Sequence, residues 1–168
     1  MPSSVAHASV AVLLAPLFGR DTVDRRTTMT AAAAAAIPDL DAIGRPFGLG
    51  DVTWLGGHRA FTHSIVFALV AGILAAVWSR RGAWRHARKI GLYVGLVVLS
   101  HGVLDAFTTY GEGVSFLAPF SMIRWKSAWQ PLSGLLPEVL LLWLPALLVY
   151  RMRRRARLAL DPRRTHST

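Results

Sequence analysis

The sequence predicts an all-α membrane protein, a polytopic helical bundle of about five helices: three spans and, before them, a short N-terminal helical hairpin. Three observations predict it. Apolar residues make up 53% of the 168-residue chain, and the mean hydropathy is +0.40, more hydrocarbon than a soluble domain of this size can bury. Three apolar segments approach the roughly 20 residues that a bilayer core demands. The basic residues gather in runs at the ends of those segments rather than over the whole chain.

The hairpin comprises Val5 to Phe18 and Thr27 to Ile37. The first segment is short and contains His7 and Pro16; the second is an alanine run closed by Pro38. Alanine favours helix but is only mildly apolar, so the pair either spans thinly or re-enters. A cleaved signal peptide competes for the first segment, but no Lys or Arg precedes it, as such a leader requires. The three spans follow. Phe61 to Trp78 is apolar apart from Thr62, His63 and Ser64 at its start, where Thr62 or Ser64 is the candidate cap. Ile90 to Phe107 is interrupted only by Ser100, His101 and Asp105 near its end, and Leu135 to Tyr150 only by Glu138. Residues 1–150 read as one membrane-embedded domain and 151–168 as a basic tail that anchors to lipid. Trp54, Trp125 and Trp129 suit an interfacial aromatic belt.

Charge sets the expected orientation. Ser79 to Lys89 holds five Lys or Arg, the tail from Arg151 seven, and the turn Gly19 to Thr28 three, whereas Leu40 to Ala60 and Thr108 to Pro131 hold two each. The positive-inside rule puts the first three groups in the cytoplasm. The N-terminus and the loops between then lie outside, and the C-terminus inside. The net charge of +10 is accounted for by loops beside an anionic membrane surface, which argues against nucleic acid as a partner. Cysteine is absent, so disulfides, thiolate metal sites and cysteine nucleophiles are excluded. No feature sets an oligomeric state.

Eight polar residues sit in or beside the apolar segments: His7, Asp39, Asp41, His58, His63, His101, Asp105 and Glu138. In the topology derived from Lys and Arg alone, all eight fall at the outer ends of their segments. At ~1.5 Å rise per residue His101 lies about 16 Å along a helix starting at Ile90, where an ionised neighbour such as Asp105 needs a partner or a metal. His101 and Asp105 are spaced i, i+4 and share one helix face, which suits two ligands to a metal and equally a His–Asp hydrogen bond that fixes packing. Asp39 and Asp41 follow the helix-stopping Pro38. His58 and His63 straddle a loop–helix junction, and Arg59 beside them suits an anionic group. His86 and His166 lie among the basic segments, away from this constellation.

These residues resemble the family of LexA-regulated, membrane-bound metal-dependent hydrolases, the YdjM-like proteins. The elements that match are His7, Pro38-Asp39-Leu40-Asp41, His58-Arg59 with Thr62-His63-Ser64, Ser100-His101 with Leu104-Asp105, Thr108-Thr109-Tyr110-Gly111, and Pro119-Phe120. That family is in turn distantly similar to the zinc-dependent phospholipase C and P1 nuclease enzymes. The resemblance implies an all-helical fold with His7, Asp39, His63, His101 and Asp105 as metal ligands. The larger enzymes also use a late His-x-x-x-Glu; here Glu138 matches the Glu, but Gly134 stands where the His would be, which leaves the number of ions between one and three.

Nitrogen and carboxylate ligands without thiolate suit Zn²⁺, with Mn²⁺ or Fe²⁺ as alternatives. The expected chemistry is hydrolysis of a phosphoester or lipid-linked substrate by metal-activated water. Asp41 or Glu138 would serve as general base or support, and His58 and Arg59 would bind the substrate's anionic group. The rival is a metal or proton transporter, or a structural membrane protein. A transporter needs ionisable residues through both leaflets, and the inner halves of these segments carry none.

Overall fold

The computed structural model describes residues 3–53, 56–79 and 84–159; Trp54, His166 and the end of the basic tail lie outside them. Five helices form, and among the described residues there is no strand, only an isolated bridge between Val114 and Trp125. Helix α1 is Ser4–Leu14, extended by the 3-10 turn Ala15–Phe18, and α2 is Arg25–Ala34. Each starts at a side-chain cap: Ser3 accepts from Ala6 N at 3.1 Å, and Asp24 from Thr27 N at 2.8 Å. Such caps satisfy amides that the first turn leaves without intrahelical partners.

Helix α3 is Ile65–Trp78. It begins four residues later than expected, because Phe61–His63 forms a separate 3-10 turn and Ser64, not Thr62, caps the helix, accepting from Phe67 N at 3.1 Å. Its 14 residues reach only about 21 Å at 1.5 Å per residue. Helix α4 is Trp84–Ala106 and α5 is Leu135–Ala159. Among the described residues two helices are long and apolar enough to cross a bilayer, His86–Ala106 and Leu135–Ala159, while the third expected span forms the shorter apolar helix Ile65–Trp78. α5 widens to a π-helix over Val139–Trp143. Pro145 explains this: it has no N–H for the Leu141 carbonyl, and its ring presses on that group. Beyond Tyr150 the helix continues to Ala159 instead of fraying into a tail.

Successive helices run in alternating directions, so the starts of α1, α3 and α5 share one end of the bundle with the ends of α2 and α4. α3 and α4 make the tightest pair. A Cβ on Gly72 would stand 2.7 Å from the Gly91 carbonyl, and one on Gly91 2.7 Å from the Gly72 carbonyl. Small residues let the two backbones approach as membrane helices do. The core around them is mostly alanine and valine from α1, α2 and α4. It is pinned by Tyr93, fully buried, whose hydroxyl donates to the Ala11 carbonyl at 2.6 Å. The long segment 107–134 folds back under the bundle end. Ser127 N donates to Ala106 O at 2.9 Å, and Ile65 N to Phe116 O at 3.0 Å.

Candidate metal centre

Five side chains from four segments meet at that shared end. His7 comes from the first turns of α1, Asp39 from the 3-10 turn Ile37–Ala42, His63 from the turn before α3, and His101 and Asp105 from the last turns of α4. His7, His63, His101 and Asp105 are fully or almost fully buried. His101 Nε2 is 3.2 Å from Asp39 Oδ1, His63 Nε2 is 3.5 Å from Asp105 Oδ2 and 3.9 Å from Asp39 Oδ1, and His7 Nε2 is 3.6 Å from Asp105 Oδ1. Two donors held at about 2.0–2.1 Å by one tetrahedral ion stand about 3.4 Å apart. These separations suit ligands that share an ion, and they suit direct His–Asp ion pairs equally.

Local folding explains the convergence. The i, i+4 spacing puts His101 and Asp105 on one face of α4, and the His7 ring stacks on His101 with centroids 3.6 Å apart. Gly102 lets the His63 turn lie against α4, because a Cβ there would be 2.5 Å from the His63 carbonyl. His101 Nδ1 lies 2.6 Å from the Ala35 carbonyl. That contact keeps a proton on Nδ1 and turns the Nε2 lone pair inward, as an outer hydrogen bond does for a metal-bound histidine.

Many of the cluster's polar atoms lack a regular hydrogen bond, although His101 Nε2 faces Asp39 Oδ1 and Arg59 Nε lies 2.9 Å from Asp105 Oδ2. Twelve buried side-chain nitrogens and oxygens among the described residues have no hydrogen bond, and ten belong to His7, Asp39, His58, Arg59, His63, His101 and Asp105. A buried polar atom left unsatisfied costs about 1–3 kcal/mol, and native structures hold few of them. Seven of the ten, on His7, Asp39, His63, His101 and Asp105, are ligand-type atoms that fit a cation, whereas the two Arg59 nitrogens are N–H donors that do not. Three groups have donor atoms all within 4.8 Å of one another: His7, His101 and Asp105; Asp39, His63 and His101; and Asp41, His58 and His63.

Asp41 lies behind the cluster, in contact with His58, Thr62 and His63. Its Oδ1 is 2.6 Å from His58 Nδ1, and its Oδ2 accepts from Thr62 Oγ1 and lies 3.5 Å from His63 Nδ1. Burial acts to raise the Asp41 pKa, but these bonds to His58, His63 and Thr62 outweigh it and hold the carboxylate well below its ordinary range. With both oxygens engaged, Asp41 orients two imidazoles, an arrangement that suits the supporting alternative. For His63, burial opposes a charge, yet Asp105 and Asp41 raise its pKa above the usual histidine value. The two carboxylates draw a cation, proton or metal, to this point.

Glu138 does not join the cluster. It opens α5 and takes the Ser3 amide at 3.2 and 3.1 Å and the Ser3 hydroxyl at 2.8 Å. The general-base expectation for Glu138 is corrected accordingly: its carboxylate is spent on the start of α1, one turn before His7. His58 and Arg59 line a cleft of about 550 Å³ beside the cluster. Arg59 is buried; its Nε is 2.9 Å from Asp105 Oδ2, and Nη1 donates to the Tyr110 carbonyl. Among the described residues it is the one non-glycine with a positive φ, 66°, a strained conformation of the kind that clusters at functional sites. His86 lies at the other end of the bundle, 3.6 Å from Asp21. Three contributors had no signal that singled them out in the sequence: the Ala35 carbonyl, the close approach at Gly102, and Arg124, which also lines the cleft.

Fold and site define a membrane protein, all-helical, with a buried histidine–aspartate cluster at one end of its bundle. Residues 1–160 match the family described as YdjM inner membrane protein, and the chain belongs to that family. It is 33% identical over 172 residues to the inner membrane protein YbcI of Escherichia coli (strain K12), an alignment that covers 90% of this chain and 96% of that protein. No solved structure matches.

Proposed function

We propose that this chain is a membrane-bound, metal-dependent hydrolase that acts on a phosphoester or lipid-linked substrate at the outer membrane face. The observation that carries the reading is the convergence of buried ligand-type atoms of His7, Asp39, His63, His101 and Asp105, facing one another at 3.2–3.9 Å. Three imidazoles and two carboxylates suit Zn²⁺ best, with Mn²⁺ or Fe²⁺ as alternatives. A bound divalent ion supplies Lewis acidity and lowers the pKa of water to about 7.

The chain's own residues do the rest. The Ala35 carbonyl and Asp41 hold the imidazoles of His101, His63 and His58 in register. Arg59 sits between the cluster and the cleft, where its guanidinium attracts an anionic substrate group and balances Asp105. The outer-face placement rests on charge: the segments at the site's end carry four of the 19 Lys and Arg. The one-sided location of the cluster favours chemistry over transport.

The test is hydrolysis of bis(4-nitrophenyl) phosphate and of a phospholipid by the purified protein. Activity should require a divalent ion and stop with a strong chelator. Asp105→Asn should lower it about a hundredfold or more by removing a charge the metal needs, while His86→Ala leaves it unchanged. Protein that binds metal, hydrolyses nothing, and moves metal or protons across liposomes in an Asp105-dependent way would establish the transporter instead.

A further inference from the structure

Three arginines, Arg45, Arg59 and Arg124, line the cleft beside the cluster together with Asp51 and Glu112, and Arg59 also pairs with Asp105. Arg45 is engaged by Asp51 through two nitrogens. Arg124 has no ion-pair partner among the described residues; backbone carbonyls alone position it, with Nη1 and Nη2 each 3.3 Å from His58 O and Nη1 3.3 Å from Gly113 O. Arg59, 2% exposed, leaves Nη2 without a hydrogen-bond partner. Gly111 makes room for the Arg59 guanidinium, because a Cβ there would be 2.7 Å from Nη1. Two guanidinium groups, with N–H donors on Arg124 and on Arg59 Nη2, form a receptor for a tetrahedral oxyanion.

The flanks of the cleft name the source of that anion. The segment that supplies Arg45 carries Phe47 and Leu49, 76% and 80% exposed, and the segment that supplies Arg124 carries Phe120 and Ile123, 87% and 82% exposed. The two segments approach each other across residues 56–60: Met122 lies against Gly56, and Arg124 on the His58 carbonyl. A cleft that received its ligand from water would not be bracketed by such side chains. In a membrane protein they sink into the acyl region and leave the arginines at the depth of the lipid phosphates.

We propose that the cleft binds the phosphate group of a membrane phospholipid, with Arg124 and Arg59 on the phosphate oxygens and Phe47, Leu49, Phe120 and Ile123 seated in the lipid around it. The proposal rests on the hydrolase reading for the fate of that phosphate; binding itself needs no metal.

The experiment measures binding of dioleoyl phosphatidic acid and of water-soluble glycerol phosphate to the full-length protein in detergent, stripped of divalent ions. Phosphatidic acid should bind saturably, and Arg124→Gln should weaken it about tenfold, the loss of a charge-assisted hydrogen bond, with partial recovery in Arg124→Lys. Phe120→Ser combined with Ile123→Ser should weaken the lipid and leave glycerol phosphate unaffected. Unchanged lipid affinity in Arg124→Gln overturns the proposal. So does glycerol phosphate that binds as tightly as the lipid, which would mean a free phosphate ligand. Metal content is read on the same preparations before stripping. Protein that arrives with no divalent ion, takes up none from added zinc, manganese or iron, and still holds lipid through Arg124 defeats the hydrolase reading and supports this one.

Discussion

Replacing Gly102 by alanine adds one methyl group and touches no ligand, yet it should dismantle the metal centre. The new Cβ would stand 2.5 Å from the His63 carbonyl and 3.4 Å from Phe116 and Val114 side-chain carbons. Restoring ordinary contact requires moving the His63 turn about 0.9 Å off α4, whereas metal–ligand distances hold to within about 0.2 Å. His63 Nε2, now 3.5 Å from Asp105 Oδ2, would leave the reach of an ion held by His101 and Asp105. The expected loss is about 10–100-fold in metal affinity, about 1.4–2.7 kcal/mol, beside about 1–3 kcal/mol of folding stability from overpacking. Zinc titration against a chelating fluorophore reads the first, and thermal unfolding the second. Gly95→Ala is the control: it lies two turns away on the same helix, and its Cβ would meet Ala68 O at 3.3 Å, which a small shift accommodates. Gly102→Ala protein that binds zinc as wild type does would refute the close contact between His63 and α4.

Two further outcomes follow from the same geometry. Asp41 has a folded-state pKa depressed below the ordinary 3.8, so the stability it contributes is present above that pH and is lost as pH falls through the folded value. Acid titration of the metal-free protein should show a loss of stability below about pH 4 that is smaller in Asp41→Asn; equal loss in both would place the acid-sensitive group elsewhere. For topology, a cysteine at Glu112 should be labelled by an impermeant maleimide on intact cells, and one at Asp21 only after permeabilisation. Labelling of Asp21→Cys from outside would reverse the orientation.

Helices showed in the sequence wherever apolar runs were long. Their limits did not, because local hydrogen bonds set them. Ser64 takes the cap of α3 while Thr62 turns to Asp41, and composition does not distinguish two hydroxyl residues only two positions apart. The residues of the cluster could be picked out as polar groups in apolar surroundings, which have to justify their burial. Their division of labour could not. Glu138 looks like Asp105 in sequence, an acid inside an apolar segment, but Ser3 lies 135 positions away and takes up its carboxylate. The sequence likewise suggests nothing of the Ala35 carbonyl on His101, since any residue offers a carbonyl and only the packing of α2 against α4 brings this one to the ring.

The most direct measurement is elemental analysis of the full-length protein purified without chelator, beside His101→Ala and His86→Ala. At least one divalent ion per chain is expected in wild type and in His86→Ala, with zinc the leading element, and its loss in His101→Ala, which removes the imidazole whose Nε2 stands 3.2 Å from Asp39. Wild-type protein that arrives without a bound ion and takes up none from added zinc, manganese or iron would contradict the metal centre.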